Sequence, residues 1–258
     1  MPGRPWWQIA ARDPMTAAIL LLGLVGYAVY GLPLLDSDGA LRLFEKLWDA
    51  LLILLCGCAF LLAGLGEPAR SSARRFWMFW AGGLAAWELV YVLDLTASPE
   101  MRNAVDLQLA RNLAYLGLFL GAALALTQKP HLAQEDRRRS FYRRIEGAGV
   151  VVLLFGLFVY FALIPLALTA TPFWANVSQS QLFLVLDLYL CQRLFRHRRE
   201  ASTGWRAVFG ALLFVGVLWA AADSAESLHR IGLLSAPVLG YVLDLLWLGP
   251  FVGLSLAA

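Results

Sequence analysis

The chain has 258 residues, of which 60% are hydrophobic and only 15% are charged, with a formal net charge of +3. A soluble domain contains about 25% charged residues, so this composition excludes a chain that buries one ordinary aqueous core. The apolar runs are continuous, whereas the strands of a membrane β-barrel would alternate. We therefore predict an all-α, polytopic membrane protein.

Eight apolar runs are long enough to cross about 30 Å of hydrocarbon at about 1.5 Å per residue. They lie near residues 15–35, 45–66, 76–95, 106–127, 147–168, 178–195, 205–224 and 235–258. The first run is too long for a signal-peptide core and lacks a small-residue cleavage site, so we expect it to remain as a span. The sixth run opens with SQSQ and contains Asp187, yet omitting it would place two neighbouring basic loops on opposite sides of the membrane.

The basic residues predict the orientation of these spans. Sixteen of the 21 Lys and Arg residues lie in the N-terminal tail and in alternate loops, which places both termini in the cytoplasm by the positive-inside rule. The most basic loop reads QEDRRRSFYRR, in which acids are mixed with arginines. We interpret it as a topology signal and expect no nucleic-acid partner.

The sequence also suggests an internal duplication. A shift of 132 residues aligns Ala114–Leu126 with Leu246–Ala258 and pairs Asn112 with Asp244. We predict two parallel four-helix repeats, 1–128 and 147–258, joined by a basic cytoplasmic linker at 129–146. The last helix ends in GLSLAA without a basic residue. We expect the natural protein to continue past Ala258 into a cytoplasmic domain.

Polar groups within the spans are the candidate functional residues. A charge near the membrane centre costs roughly 2.5–3.5 kcal/mol or more, so such groups should face one another or a wet cavity. The predicted topology places most of them in the outer half of the membrane, from both repeats. The candidate ligand-binding residues are Asp187, Asp244, Glu88, Arg111, Asn112, Asp223, Asp49, Trp87, Tyr115, Trp219 and Trp247.

Two interpretations of this set stay open. In the first, the polar and aromatic side chains line a small-molecule pocket between the repeats. In the second, Arg111 neutralises one or two acids, the other polar groups form hydrogen bonds across helices, and the aromatic residues only pack.

Several more specific sites are not supported by the sequence, and we predict no catalytic residue, cofactor or metal. A retinal protein needs a lysine within a span, and Lys46 and Lys129 lie in or beside loops. Membrane haem needs histidines that face each other across helices, but His131 and His197 are assigned to the cytoplasmic side and His229 lies near the outer face, and a zinc site lacks ligands for the same reason. Asp187 and Asp244 could be drawn as an aspartyl-protease pair, but the glycine-flanked motif is missing. Cys56, Cys58 and Cys191 are interpreted as apolar packing.

The motifs DLLWLGPF (from Asp244) and WELVYVLD (from Trp87), with the duplication, resemble the membrane-associated sensor domains of bacterial signalling proteins. Such domains precede diguanylate cyclase, cyclic-di-GMP phosphodiesterase or histidine kinase modules. The resemblance implies a bacterial inner-membrane input domain, working as a homodimer, that senses a small or lipophilic ligand. The alternatives are a small proton-coupled transporter, which parallel repeats and intramembrane acids also suit, and an integral-membrane enzyme.

Overall fold

The computed structural model describes residues 38–97, 105–132, 137–168 and 172–233, together with isolated positions in 17–25 and at 250 and 254. Helices account for nearly all of this part of the chain. They are α1 (Asp38–Gly66), α2 (Ser72–Thr96), α3 (Val105–Thr127), α4 (Arg137–Phe158), α5 (Ile164–Leu168), α6 (Pro172–Glu200) and α7 (Thr203–Arg230). A π-helical turn, Val159–Leu163, joins α4 to α5 without a break.

Five segments of the described chain are long and apolar enough to cross a membrane. They are Lys46–Gly66, Ser72–Thr96, Val105–Thr127, Phe141–Leu168 and Gly204–His229. These correspond to the second, third, fourth, fifth and seventh predicted spans. The sixth predicted span lies in α6, which is helical but is not among these five. Apart from isolated positions, the first and eighth lie outside the described residues, so eight spans and the duplication stay predictions.

The surface of α1 shows why these helices suit a bilayer. Its large apolar side chains are exposed in a stripe along much of the helix, as in Leu47 (52%), Leu54 (52%) and Leu62 (59%). A stripe of this size on a soluble monomer would mark an interface or an aggregation site. In a bilayer it is the ordinary lipid-facing surface, so the described helices indicate a membrane protein.

The chain divides into two compact units, with the boundary after Pro130. Unit 1 contains α1–α3, in which α2 packs against both α1 and α3. Unit 2 contains α4–α7, in which α6 packs against α7 and against the π-helical turn and α5. The predicted linker 129–146 is partly helical, because α4 begins at Arg137. Arginine has a high helix propensity, so this basic stretch can extend the fifth predicted span as helix.

Glycine residues allow α2 and α3 of unit 1 to approach closely. A Cβ atom on Gly121 would lie 2.6 Å from the backbone oxygen of Phe79 and 2.7 Å from the Cα of Gly83. A Cβ atom on Gly117 would lie 2.7 Å from the Cβ of Ala86. Gly117 and Gly121 form a GxxxG pattern, which lets membrane helices pack through their backbones.

The π-helical turn accommodates Pro165 in the long helix α4–α5. Proline has no backbone N–H to donate to the preceding turn, and its ring crowds the carbonyl there. The N–H of Ile164, directly before this proline, bonds to the carbonyl of Val159, five residues back. The wider turn relieves the proline locally, so the helix continues to Leu168.

Candidate functional site

Unit 2 contains a pair of acids on neighbouring helices, of which one is buried and the other half-buried. Asp187 of α6 is 1% exposed, and its carboxyl group interacts with that of the half-buried Asp223 of α7. The pair therefore places two acidic side chains against each other, one of them buried, which is a costly arrangement for a purely structural element.

The packing of α6 against α7 explains how the acid pair is held. Leu182, Leu186, Leu190 and Leu194 recur every fourth residue on α6, and all are at most 3% exposed. This spacing forms one ridge of an α-helix. The buried residues of the facing helix include Leu212, Val215, Trp219 and Ala222. Asp187 directly follows Leu186 and Asp223 directly follows Ala222, so the apolar contact between the helices brings the two acids together.

A groove of about 240 Å³ opens between α6 and α7 near this pair, although neither Asp187 nor Asp223 lines it. Leu184 lines it one turn before Asp187, and Ser224 lines it directly after Asp223. The other lining residues are Ser180, Gln181, Ser227, Leu228 and Ile231. The hydroxyl of Ser224 donates to the carbonyl oxygen of Ala220 at 2.6 Å. The groove thus offers apolar walls with a few hydroxyl and amide groups, the usual composition of a small-molecule site.

Unit 1 contains a second polar cluster, formed by α1, α2 and α3. Asp94 forms ion pairs with Arg111 and with Lys46, the latter at 3.4 Å. One turn before Asp94, the hydroxyl of Tyr91 donates to the carboxylate of Asp49 at 3.3 Å. In this cluster Arg111 neutralises an acid, as one of the two interpretations of the sequence expected. The acid is Asp94, which was not among the candidate residues.

The remaining candidates of unit 1 lie on α2 and α3. Trp87 is 2% exposed, Asn112 is 6% exposed, and Tyr115 is half-buried. Glu88 is also half-buried, and its Oε2 atom is shielded from solvent without a hydrogen bond among the described residues. The structure thus buries these side chains partly or fully within unit 1, and two ion pairs among the described residues of this unit form on Asp94.

Of the candidate residues in the second predicted repeat, the structure describes three and leaves two undescribed. Asp187 and Asp223 come together, and Trp219 is buried at 5% exposure one turn before Asp223. Asp244 and Trp247 lie outside the described residues, so the predicted partnership of Asp187 with Asp244 stays a prediction. An ion pair that the sequence analysis did not propose joins Arg193 of α6 to Glu146 of α4.

A cluster of two histidines and a glutamate lies at the basic end of α6 and also was not predicted. The ring centroids of His131 and His197 are 5.4 Å apart, and Glu200 follows His197 by three residues. One ligand atom of each of the three residues lies within 4.8 Å of the others. The signal available in the sequence was the His-x-x-Glu spacing, which places two side chains on one helix face.

Comparison with known proteins gives no family or relative from which a function could be transferred. No protein-family model, no curated protein and no solved structure matches this chain. The fold class alone does not decide the function, because one architecture supports many activities. A function must therefore be inferred from the acid pair and the groove.

Proposed function

We propose that this chain is a membrane-embedded sensory input domain that binds a small or lipophilic ligand and signals to a cytoplasmic output domain. The observation that carries the proposal is the groove between α6 and α7, whose lining residues Leu184 and Ser224 are neighbours in sequence of Asp187 and Asp223. Ionisable groups inside membrane proteins are expensive and usually mark functional sites. An apolar groove with a few hydroxyl and amide groups, next to a carboxyl group, suits a lipophilic molecule with one polar end.

The basic residues give this groove a predicted side of the membrane. His197, Arg198 and Arg199 occupy the last turn of α6, which predicts that this end is cytoplasmic. The groove residues Ser180 and Gln181 lie on the opposite side of Asp187 along the same helix. The ligand would therefore enter from the outer half of the bilayer or from outside the cell.

Signalling requires that the ligand bind one arrangement of α6 and α7 more tightly than another. The acid pair is suited to this coupling, because a polar ligand group that bonds to one carboxyl group competes with the contact between the two acids. The predicted repeat, the resemblance to bacterial sensor domains and the expected homodimer are part of the same proposal.

The ligand proposal is tested by the compounds that copurify with the protein. The full chain and the groove-filling variant Ser227→Phe are purified from membranes, and bound small molecules are extracted and identified by mass spectrometry. We expect a lipophilic compound with the wild type and at least tenfold less, roughly the loss of 1.4 kcal/mol of binding, with Ser227→Phe. Asp106→Asn is the control, because this acid is exposed in unit 1. Equal retention by Ser227→Phe and the wild type contradicts the proposal.

The signalling proposal is tested by fusing the chain at Ala258 to a diguanylate cyclase module. Cyclic-di-GMP is then measured in cells that carry the wild type, Asp187→Asn or Asp106→Asn. We expect Asp187→Asn to change the output and Asp106→Asn to leave it unchanged. Equal output from all three chains would remove the acid pair from the signalling mechanism.

A proton-coupled transporter is the second candidate, and the contact between two acidic side chains on neighbouring helices is the observation that favours it. Intramembrane acids of this kind also serve as proton relays. Proteoliposomes with an internal pH dye distinguish the two functions. A transporter gives a proton flux that Asp187→Asn abolishes, whereas the sensory domain gives no flux above that of empty liposomes.

A further inference from the structure

We infer that His131, His197 and Glu200 form a binding site for a divalent transition-metal ion at the basic end of unit 2. Their ligand atoms, one from each residue, lie within 4.8 Å of one another. In a tetrahedral zinc site with bonds of about 2.0–2.1 Å, two ligand atoms are roughly 3.3 Å apart. Small side-chain rotations therefore suffice to bring the three atoms onto one ion.

The local backbone explains why these three residues meet. His197 and Glu200 are three residues apart on α6, so both project from the same face of its last turn. Lys129, with φ of 46°, adopts the left-handed conformation that commonly ends a helix, and Pro130 follows it. His131 comes directly after this turn, and its ring reaches that of His197.

A buried aromatic side chain orders the two imidazoles. Phe209 of α7 is fully buried and stacks on His197 at a centroid distance of 5.4 Å, while its edge-on contact with His131 is at 5.5 Å. The two-residue connection Ala201–Ser202 between α6 and α7 keeps Phe209 beside the last turn of α6. An apolar shell of this kind limits water at a metal site and fixes the orientation of its ligands.

The three ligand residues differ in their exposure to solvent, so one side of the site is buried and the other is open to water. His197 is 4% exposed, His131 is half-buried and Glu200 is exposed. Three protein ligands leave a fourth tetrahedral position open, and this position would be reached from the side of Glu200. An ion can therefore enter from solvent without opening the contact between α6 and α7.

The chemistry of the donor set selects the class of ion. Imidazole nitrogen suits Zn²⁺, Cu²⁺, Ni²⁺ and Fe²⁺, whereas Mg²⁺ and Ca²⁺ require oxygen ligands. The exposed Arg196, Arg198 and Arg199 lie within four residues of His197 and repel any cation. A hard ion held by charge alone is thereby disfavoured, while a transition metal gains from its bonds to two imidazoles.

The test uses the full chain, purified in detergent without a polyhistidine tag. Zn²⁺ affinity is measured by competition with a chelating dye, and Co²⁺ is added as a spectroscopic probe because its visible absorption reports coordination. We expect one equivalent of Zn²⁺ and no competition from Mg²⁺ or Ca²⁺. His131→Gln, His197→Gln and Glu200→Gln should each weaken Zn²⁺ binding by at least about tenfold, the lower end of the loss seen even for supporting residues of metal sites.

His229→Gln is the matched control, because it removes the one remaining histidine of the sequence, which is exposed near the end of α7. It should leave the Zn²⁺ affinity and the Co²⁺ spectrum unchanged. Because His197 is buried, circular dichroism is used to check that His197→Gln folds. If that variant does not fold, the variants of the more exposed His131 and Glu200 provide the test. Zn²⁺ binding by the double variant His131→Gln/Glu200→Gln as tight as that of the wild type overturns the inference. A wild-type chain that binds no Zn²⁺ overturns it as well.

Discussion

Asp94 contacts two cations, Lys46 and Arg111, with a side chain that is 22% exposed. Its replacement by Asn removes the carboxylate from both ion pairs, whereas Arg111→Met leaves Asp94 paired with Lys46. We therefore expect Asp94→Asn to lower the free energy of unfolding by about 1–3 kcal/mol and Arg111→Met by less. The loss stays below the 3–5 kcal/mol of a fully buried pair because solvent screens part of the interaction.

The measurement for this prediction is reversible unfolding in detergent, followed by tryptophan fluorescence. Asp106→Asn serves as the control, since it removes an exposed carboxylate from the same unit. An Arg111→Met variant that is less stable than Asp94→Asn would show that Asp94 is not the centre of the cluster.

Asp187→Asn should separate function from stability in unit 2. The substitution keeps the size and hydrogen-bonding capacity of the side chain and removes its repulsion from Asp223. We expect the stability to be unchanged or higher by up to about 1–2 kcal/mol, which is the common pattern when a strained functional group is replaced. Thermal unfolding of the two chains measures this difference. A marked loss of stability in Asp187→Asn would instead indicate a structural role for the pair.

At the scale of secondary-structure elements, the close approach of α2 and α3 depends on Gly121. Gly121→Ala places a methyl group 2.6 Å from the carbonyl oxygen of Phe79, and backbone atoms cannot rotate away as a side chain can. We expect a loss of about 1–3 kcal/mol in the stability of unit 1, as for other overpacked cores. Gly82→Ala is the control, because Gly82 lies on the facing helix α2 and nothing lies within 4 Å of its Cβ position. Equal unfolding midpoints for the two variants would contradict tight packing at Gly121.

For the molecule as a whole, the sequence predicted the helices better than their partners. Apolar length and the positive-inside rule identify spans because they depend on composition along the chain. The partner of Arg111 depends on the rotation of each helix about its axis, which depth alone does not give. This is why Asp94 was missed although it ends the motif WELVYVLD. His131 and His197 were missed for the same reason, since loop assignments do not show which side chains meet.

Whether α6 crosses the membrane can be determined from the sides on which Ser71 and Ser202 lie. Ser71 precedes α2, and Ser202 follows α6. Between them the chain passes through α2, α3, α4–α5 and α6, so the two serines lie on the same side only if α6 crosses along with the other three. The basic residues near both positions predict that this common side is cytoplasmic.

Single cysteines introduced into a cysteine-free background measure this arrangement, with Cys56, Cys58 and Cys191 replaced by Ala. Ser71→Cys and Ser202→Cys should resist a membrane-impermeant maleimide in intact cells and react after permeabilisation. Ala97→Cys, at the opposite end of α2 from Ser71, should react in intact cells. Labelling of Ser202→Cys but not of Ser71→Cys from outside would mean that α6 does not cross. The proposed entry of ligand from the outer side would then fail, because the orientation of the groove depends on α6 spanning the bilayer.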